Sequence, residues 1–129
     1  MQSLRNSGFG VTSGWIEREN GDYSPKALAE DAKADFEEIR DADVLVAIMD
    51  DPTYAYRGSF TEIGYALGLG RHVIIVCPLE RRESEGNWTY SHTCATNVFF
   101  WHPNIVKADT IADVPSCIRQ LFWYKCDFP

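Results

Sequence analysis

The residues from Val44 to Met49 are apolar without a break, and so are those from Val73 to Cys77 in HVIIVCP. Runs of this kind, with no alternation, are how strands buried on both faces of a parallel sheet read. The first stops at Asp50-Asp51-Pro52 and the second at Pro78, which cannot donate to a ladder. Upstream of both the spacing is helical. Leu28, Ala32, Phe36 and Ile39 recur at four, four and three residues, which predicts one buried stripe. Ser24 can cap the free amides of that helix, and Pro25 suits its first position. Glu30, Asp31, Asp35, Glu37 and Glu38 occupy its other positions and read as a solvated acidic face. A second helix is expected from Ser59 to Leu69. Gly68 and Gly70 bracket its end, and Arg71 is placed to meet its C-terminal dipole.

The remaining segments carry weaker signals. FGVTSGWI, from Phe9 to Ile16, reads as a short strand, and ERENGDY as a polar loop with an Asn20-Gly21 turn. Leu79 to Ala95 is a charged excursion, long for a loop and therefore expected to be mobile or functional. NVFFWHPNI fits a loop or a short helical turn, IVKA a last short strand, and Ile111 to Phe122 a closing helix with Pro115 in its first turn. Alternation of strands and helices in this order predicts an α/β fold with a mostly parallel sheet in one domain, residues 1–129. Ligands of such sheets bind beyond the carboxyl ends of the strands. That edge carries Asp50, Asp51, the loop from Tyr54 to Gly58 and the start of the helix bearing Glu62.

Composition narrows the classes. The 129 residues suffice for one core, and a net charge of −7 makes the chain a poor partner for a nucleic acid polymer or an anionic membrane. A small phosphate-bearing molecule stays compatible with it. No apolar run reaches the length of a membrane span, and MQSLRNSGFG lacks the apolar core of a signal peptide, so the cytoplasm is the expected compartment. Cys77, Cys94, Cys117 and Cys126 include no CxxC and read as reduced packing residues. His72, His92 and His102 are scattered without metal-ligand spacing, and neither a dinucleotide fingerprint nor a P-loop occurs, so no metal or cofactor is expected.

Glu62 has two readings. Ser59-Phe60-Thr61-Glu62 fits S-x-x-E, in which Glu62 would fold back onto the Ser59 amide as half of a capping box. A carboxylate in the first helical turn at the ligand edge could instead face a substrate and act as a nucleophile. Asp50 and Asp51 fit either pocket residues or turn formers. Tyr54 and Tyr56 fit either a stacking platform or loop aromatics.

The block ADVLVAIMDDPTYAYRGSFTEIGYALGLGRHVIIV resembles the central part of the nucleoside 2-deoxyribosyltransferase family. The resemblance rests on Glu62-Ile63-Gly64-Tyr65-Ala66, on Gly70-Arg71-His72-Val73, on the preceding acidic helix and on Asn97-Val98-Phe99. It implies a flavodoxin-like (Rossmann-like) fold. It also implies that Glu62 attacks the anomeric carbon of a 2-deoxynucleoside or its 5′-monophosphate, with Asp50, Asp51, Tyr54, Tyr56, Arg57, Gly58 and Asn97 around the substrate. Related hydrolases of deoxynucleoside monophosphates use the same glutamate. A non-catalytic nucleotide-binding module on the same scaffold is the alternative. Two departures stand out. Tyr56 occupies a position where many transferases hold the sugar with an aspartate, and Arg57 beside it favours a phosphate. The opening MQSLRNSGFG resembles the tail of the family's first helix, so the sheet is expected to be N-terminally shortened. Closing of the gap, pairing with a second subunit or a longer product would repair it, and a homodimer or higher homo-oligomer is the expected assembly.

Overall fold

The computed structural model describes residues 9–10, 23–79, 81–84 and 87–122. Helix α1 spans Pro25–Asp41, strand β1 Val44–Ile48, helix α2 Arg57–Gly68 and strand β2 His72–Val76. Strands β3 (Arg81–Ser84) and β4 (Asn87–Tyr90) follow, then two 3₁₀ helices, Thr93–Thr96 and Val98–Trp101. Strand β5 spans Ile105–Ala108, and a 3₁₀ turn, Ile111–Asp113, leads into helix α3, Val114–Phe122. The expected strand from Phe9 to Ile16 and the ERENGDY loop lie outside the described residues, apart from Phe9, Gly10 and Tyr23.

β1, β2 and β5 form a parallel sheet in the order β1-β2-β5, with Val44 opposite His72 and Val73 opposite Ile105. β2 is the middle strand of the three, and Val73, Ile74, Ile75 and Val76 are all buried. Its side chains divide between two cores. Val73, Ile75 and Cys77 join Ile63, Ala66 and Ile39 beneath α1 and α2. Ile74 and Val76 join Val114 and Ile118 beneath α3. Two packed faces explain why the run shows no alternation. β1 is less enclosed than its sequence predicts, with Ile48 41% exposed.

α1 begins as expected: Ser24 Oγ accepts from the Ala27 amide at 3.2 Å, with Pro25 in the first position. Its packing face is not the expected one. Of the stripe Leu28, Ala32, Phe36 and Ile39, only Ile39 is buried, while Leu28 is 49% exposed. The partly buried face runs instead through Ala27, Asp31, Asp35, Glu38 and Ala42. Asp31, Asp35 and Glu38 are thus half-buried, not the solvated flank that the charge pattern predicts. Phe36 compensates by lying flat on Tyr65 of α2, ring centroids 4.1 Å apart.

α2 ends in a Schellman motif. The Arg71 amide donates to Ala66 O at 2.9 Å and the Gly70 amide to Leu67 O at 3.0 Å. Gly70 sits at φ +73°, a left-handed conformation that a Cβ would strain. Arg71 also reaches the neighbouring helix. Its Nη2 donates to Arg40 O at 3.0 Å, in the last turn of α1. The long excursion after Pro78 is not a loop throughout: β3 and β4 pair antiparallel, Arg81 opposite Tyr90 and Ser84 opposite Asn87. Its polar sequence gave no strand signal. Cys77, Cys94 and Cys117 are free thiols. Among the described residues no helix is long and apolar enough to cross a membrane.

Candidate functional site

The carboxyl end of β1 opens into a loop that folds back on itself. Asp51 Oδ1 accepts from the Thr53 amide at 2.9 Å and from Thr53 Oγ1 at 2.7 Å. These two bonds hold the Asp51 carboxyl below its ordinary range. The Asp51 amide donates to Tyr56 Oη at 3.0 Å, and that hydroxyl lies 3.4 Å from Asp50 Oδ1. Tyr56 reaches this position through a left-handed backbone, φ 49°, the only positive φ at a non-glycine among the described residues. Such a conformation costs on the order of 1 kcal/mol. Burial then raises the phenol above its usual value, against the bond from Asp51. Tyr54 is exposed and meets the Tyr56 ring edge-on at 4.8 Å.

Tyr56 is also the N-cap of α2, whose first residue, Arg57, comes two residues before the expected start. The Phe60 amide donates to Tyr56 O at 3.1 Å. No side chain caps the helix. Glu62 therefore lies in the second turn, and the capping box suggested by Ser59 and Glu62 does not form. A capping box occurs elsewhere, where Thr110 and Asp113 satisfy each other ahead of α3. Glu62 is half-buried against α1. Burial raises its carboxyl above the ordinary carboxylate range, and the negative charges of Asp35 and Glu38 raise it further. A carboxylate so crowded is more basic than usual, and a positive charge developing beside it would be stabilised.

The segment from His92 to Asn97 covers the same strand end. The buried His92 ring donates from Nε2 to Met49 O at 2.9 Å and accepts at Nδ1 from the Cys94 amide at 3.0 Å. Thr93 donates to Pro52 O through both its amide, at 2.9 Å, and Oγ1, at 2.8 Å. The Cys94 thiol lies 3.5 Å from Tyr54 O, and burial raises its pKa. Asn97 caps the second 3₁₀ helix, Oδ1 accepting from the Phe99 amide at 2.9 Å.

A cavity of about 320 Å³ separates this segment from α2, with Ala55, Arg57, Phe60, Thr93, Thr96 and Asn97 on its walls. Of the residues singled out by sequence, Arg57 and Asn97 meet here. Asp50, Asp51, Tyr54 and Tyr56 line the adjoining loop, and Gly58 sits in the first turn of α2 with open space at its Cα. Glu62 is not among the lining residues and lies one turn further along α2. The amino end of α2 and Arg57 suit the cavity to an anionic group. Among the described residues, no cluster of histidine, cysteine and carboxylate side chains could hold a metal ion.

Sequence reasoning missed Asp35, Glu38, Thr93 and His92. A half-buried i, i+3 acidic pair cannot be told from a solvated one by spacing alone. A lone histidine carries no pattern.

No curated protein matches the chain. The model of the family described as nucleoside 2-deoxyribosyltransferase matches residues 1–95, a span that holds α1, β1, α2, β2 and Glu62. With nearly three-quarters of its length matched, together with an α/β sheet of the expected kind, the chain belongs to the nucleoside 2-deoxyribosyltransferase family.

Proposed function

We propose that the protein transfers or hydrolyses the N-glycosidic bond of a 2-deoxynucleoside or its 5′-monophosphate, with Glu62 as nucleophile. The observation that carries this reading is that Glu62, in the E-I-G-Y-A sequence, is half-buried, free of any capping role and held among like charges. The ionised carboxylate attacks C1′. The C1′–N bond breaks, and the base leaves with a proton taken from water or from an acid in the site. The product is a deoxyribosyl ester of Glu62. A second base, or water, then attacks C1′ and releases the carboxylate. Asp35 and Glu38 contribute twice, by making Glu62 more nucleophilic and by favouring the positive charge that develops on the sugar ring.

Asp50, Asp51, Tyr54, Tyr56, Arg57, Gly58 and Asn97 bind the substrate in this reading, and the cavity at Arg57 takes its 5′ end. A phosphate there would meet the guanidinium and the amino end of α2. The exposed Val98 and Phe99 are in keeping with a homo-oligomer.

The test is incubation with deoxyinosine plus adenine, and separately with deoxynucleoside 5′-monophosphates, following released base by chromatography. Turnover by the wild type and its loss by at least about 10³-fold in Glu62→Ala are expected of a nucleophile. A second reading, a nucleotide-binding module without catalysis, is favoured by one observation: Glu62 does not line the cavity. Binding without turnover, unchanged in Glu62→Ala, would establish it.

A further inference from the structure

We propose that His92 is a positioning residue that clasps the loop between β1 and α2 and so sets the placement of Asp50, Asp51 and Tyr56 for the substrate. The inference rests on the Glu62 reading for its catalytic consequence, but its geometry stands by itself. His92 is 1% exposed and does not line the cavity. Both ring nitrogens are committed, Nε2 as donor to Met49 O and Nδ1 as acceptor from the Cys94 amide. The first bond ties the ring to the last residue before Asp50. The second starts the 3₁₀ helix whose Thr93 and Cys94 reach Pro52 and Tyr54 on the same loop. The ring also lies along that of Tyr56, centroids 6.2 Å apart at 28°.

One imidazole therefore touches the loop's entry, the segment that covers it, and the tyrosine that closes it. Tyr56 is held in a strained backbone and must be supported to persist there. Its hydroxyl, between the Asp51 amide and Asp50, transmits that support to the two carboxylates. Burial requires both nitrogens to be paired, and here both partners belong to the loop or to the segment that covers it. Among the large, fully buried side chains of the described residues, His92 is the only one that is polar.

Three variants separate these contacts. His92→Asn retains an acceptor for the Cys94 amide, as Asn97 does for Phe99. His92→Gln retains a donor that can reach Met49 O. His92→Phe keeps only a ring. Amide hydrogen exchange is measured without substrate over residues 49–58, 72–76 and 92–97, and KM and kcat are measured for deoxyribosyl transfer. In His92→Phe the Asp51 and Cys94 amides should exchange at least about tenfold faster while β2 is unchanged, as loss of local rather than global protection requires. KM should rise about tenfold, roughly the worth of one lost positioning bond, and His92→Asn or His92→Gln should recover part of it.

Should His92→Phe prove insoluble, His92→Asn and His92→Gln carry the same comparison. Asp51 exchange equal to wild type in every variant, or β2 opening in step with the loop, would overturn the proposal. If the wild type transfers no deoxyribose, the Glu62 reading fails, and the exchange comparison alone still decides whether His92 holds the loop.

Discussion

The ring of Phe36 lies on the ring of Tyr65 with centroids 4.1 Å apart and planes 4° from parallel. That stack joins α1 to α2 beside the glutamate, since Asp35 and Glu38 flank Phe36 and Glu62 precedes Tyr65 by less than a turn. Replacing Phe36 by alanine should cost about 1–2 kcal/mol, the stacking term plus partial burial. Urea denaturation would measure this. The substitution should also loosen the two acidic residues that crowd Glu62.

Glu62 itself should destabilise the fold at neutral pH. Its carboxyl is raised by burial and by Asp35 and Glu38, so the folded chain holds that proton more tightly than the unfolded one. The cost is absent below the unfolded pKa, where both states are protonated, and appears as pH rises through the folded value. Glu62→Gln should therefore melt higher than wild type at pH 7, and the difference should close on acidification. Melting curves from pH 4 to pH 8 would reveal it, and a constant difference would contradict it.

The same charges should shape the rate profile. A nucleophile must be ionised, so the acid limb of kcat should lie above the usual carboxylate range. Asp35→Asn and Glu38→Gln each remove a like charge, which lowers the Glu62 pKa. Their acid limbs should move to lower pH, read from single-turnover rates across a pH series.

Two glycines, one within α2 and one just past its end, should respond oppositely to alanine. At Gly70, φ +73°, a Cβ meets left-handed strain, and Gly70→Ala should lose about 1–2 kcal/mol. Gly64 is helical with open space around its Cα, so Gly64→Ala should gain up to about 1 kcal/mol. If that stabilised variant loses activity, Gly64 is kept bare for a ligand rather than for packing.

The parallel strands, the Ser24 cap and the Gly70 exit were legible because each depends on local chemistry that residue type reports directly. β1, β2 and β5 fall where the apolar runs place them. The packing face of α1 was not legible. Leu28 and Ala32 of the expected stripe are left exposed, while Asp31, Asp35 and Glu38 are partly buried, an arrangement that defeats a hydrophobicity rule. The early start of α2 depends on a tyrosine held left-handed by contacts to Asp50 and Asp51, which no propensity anticipates. Of the candidate residues, Arg57 and Asn97 line one cavity. The tie through His92 and Thr93 joins residues some forty apart and left no trace in either segment.

The order β1-β2-β5 also fixes how the chain must be assembled in time. Every rung joins residues about thirty apart, with a helix or a hairpin between them. No strand of the sheet can find its neighbour locally, so each pairing waits on closure of a long loop, and collapse is slow relative to a helical bundle of this size. During that wait the apolar sequence of β2 stays uncovered. Refolding yield should consequently fall as protein concentration rises, with intermolecular pairing of HVIIV as the competing reaction.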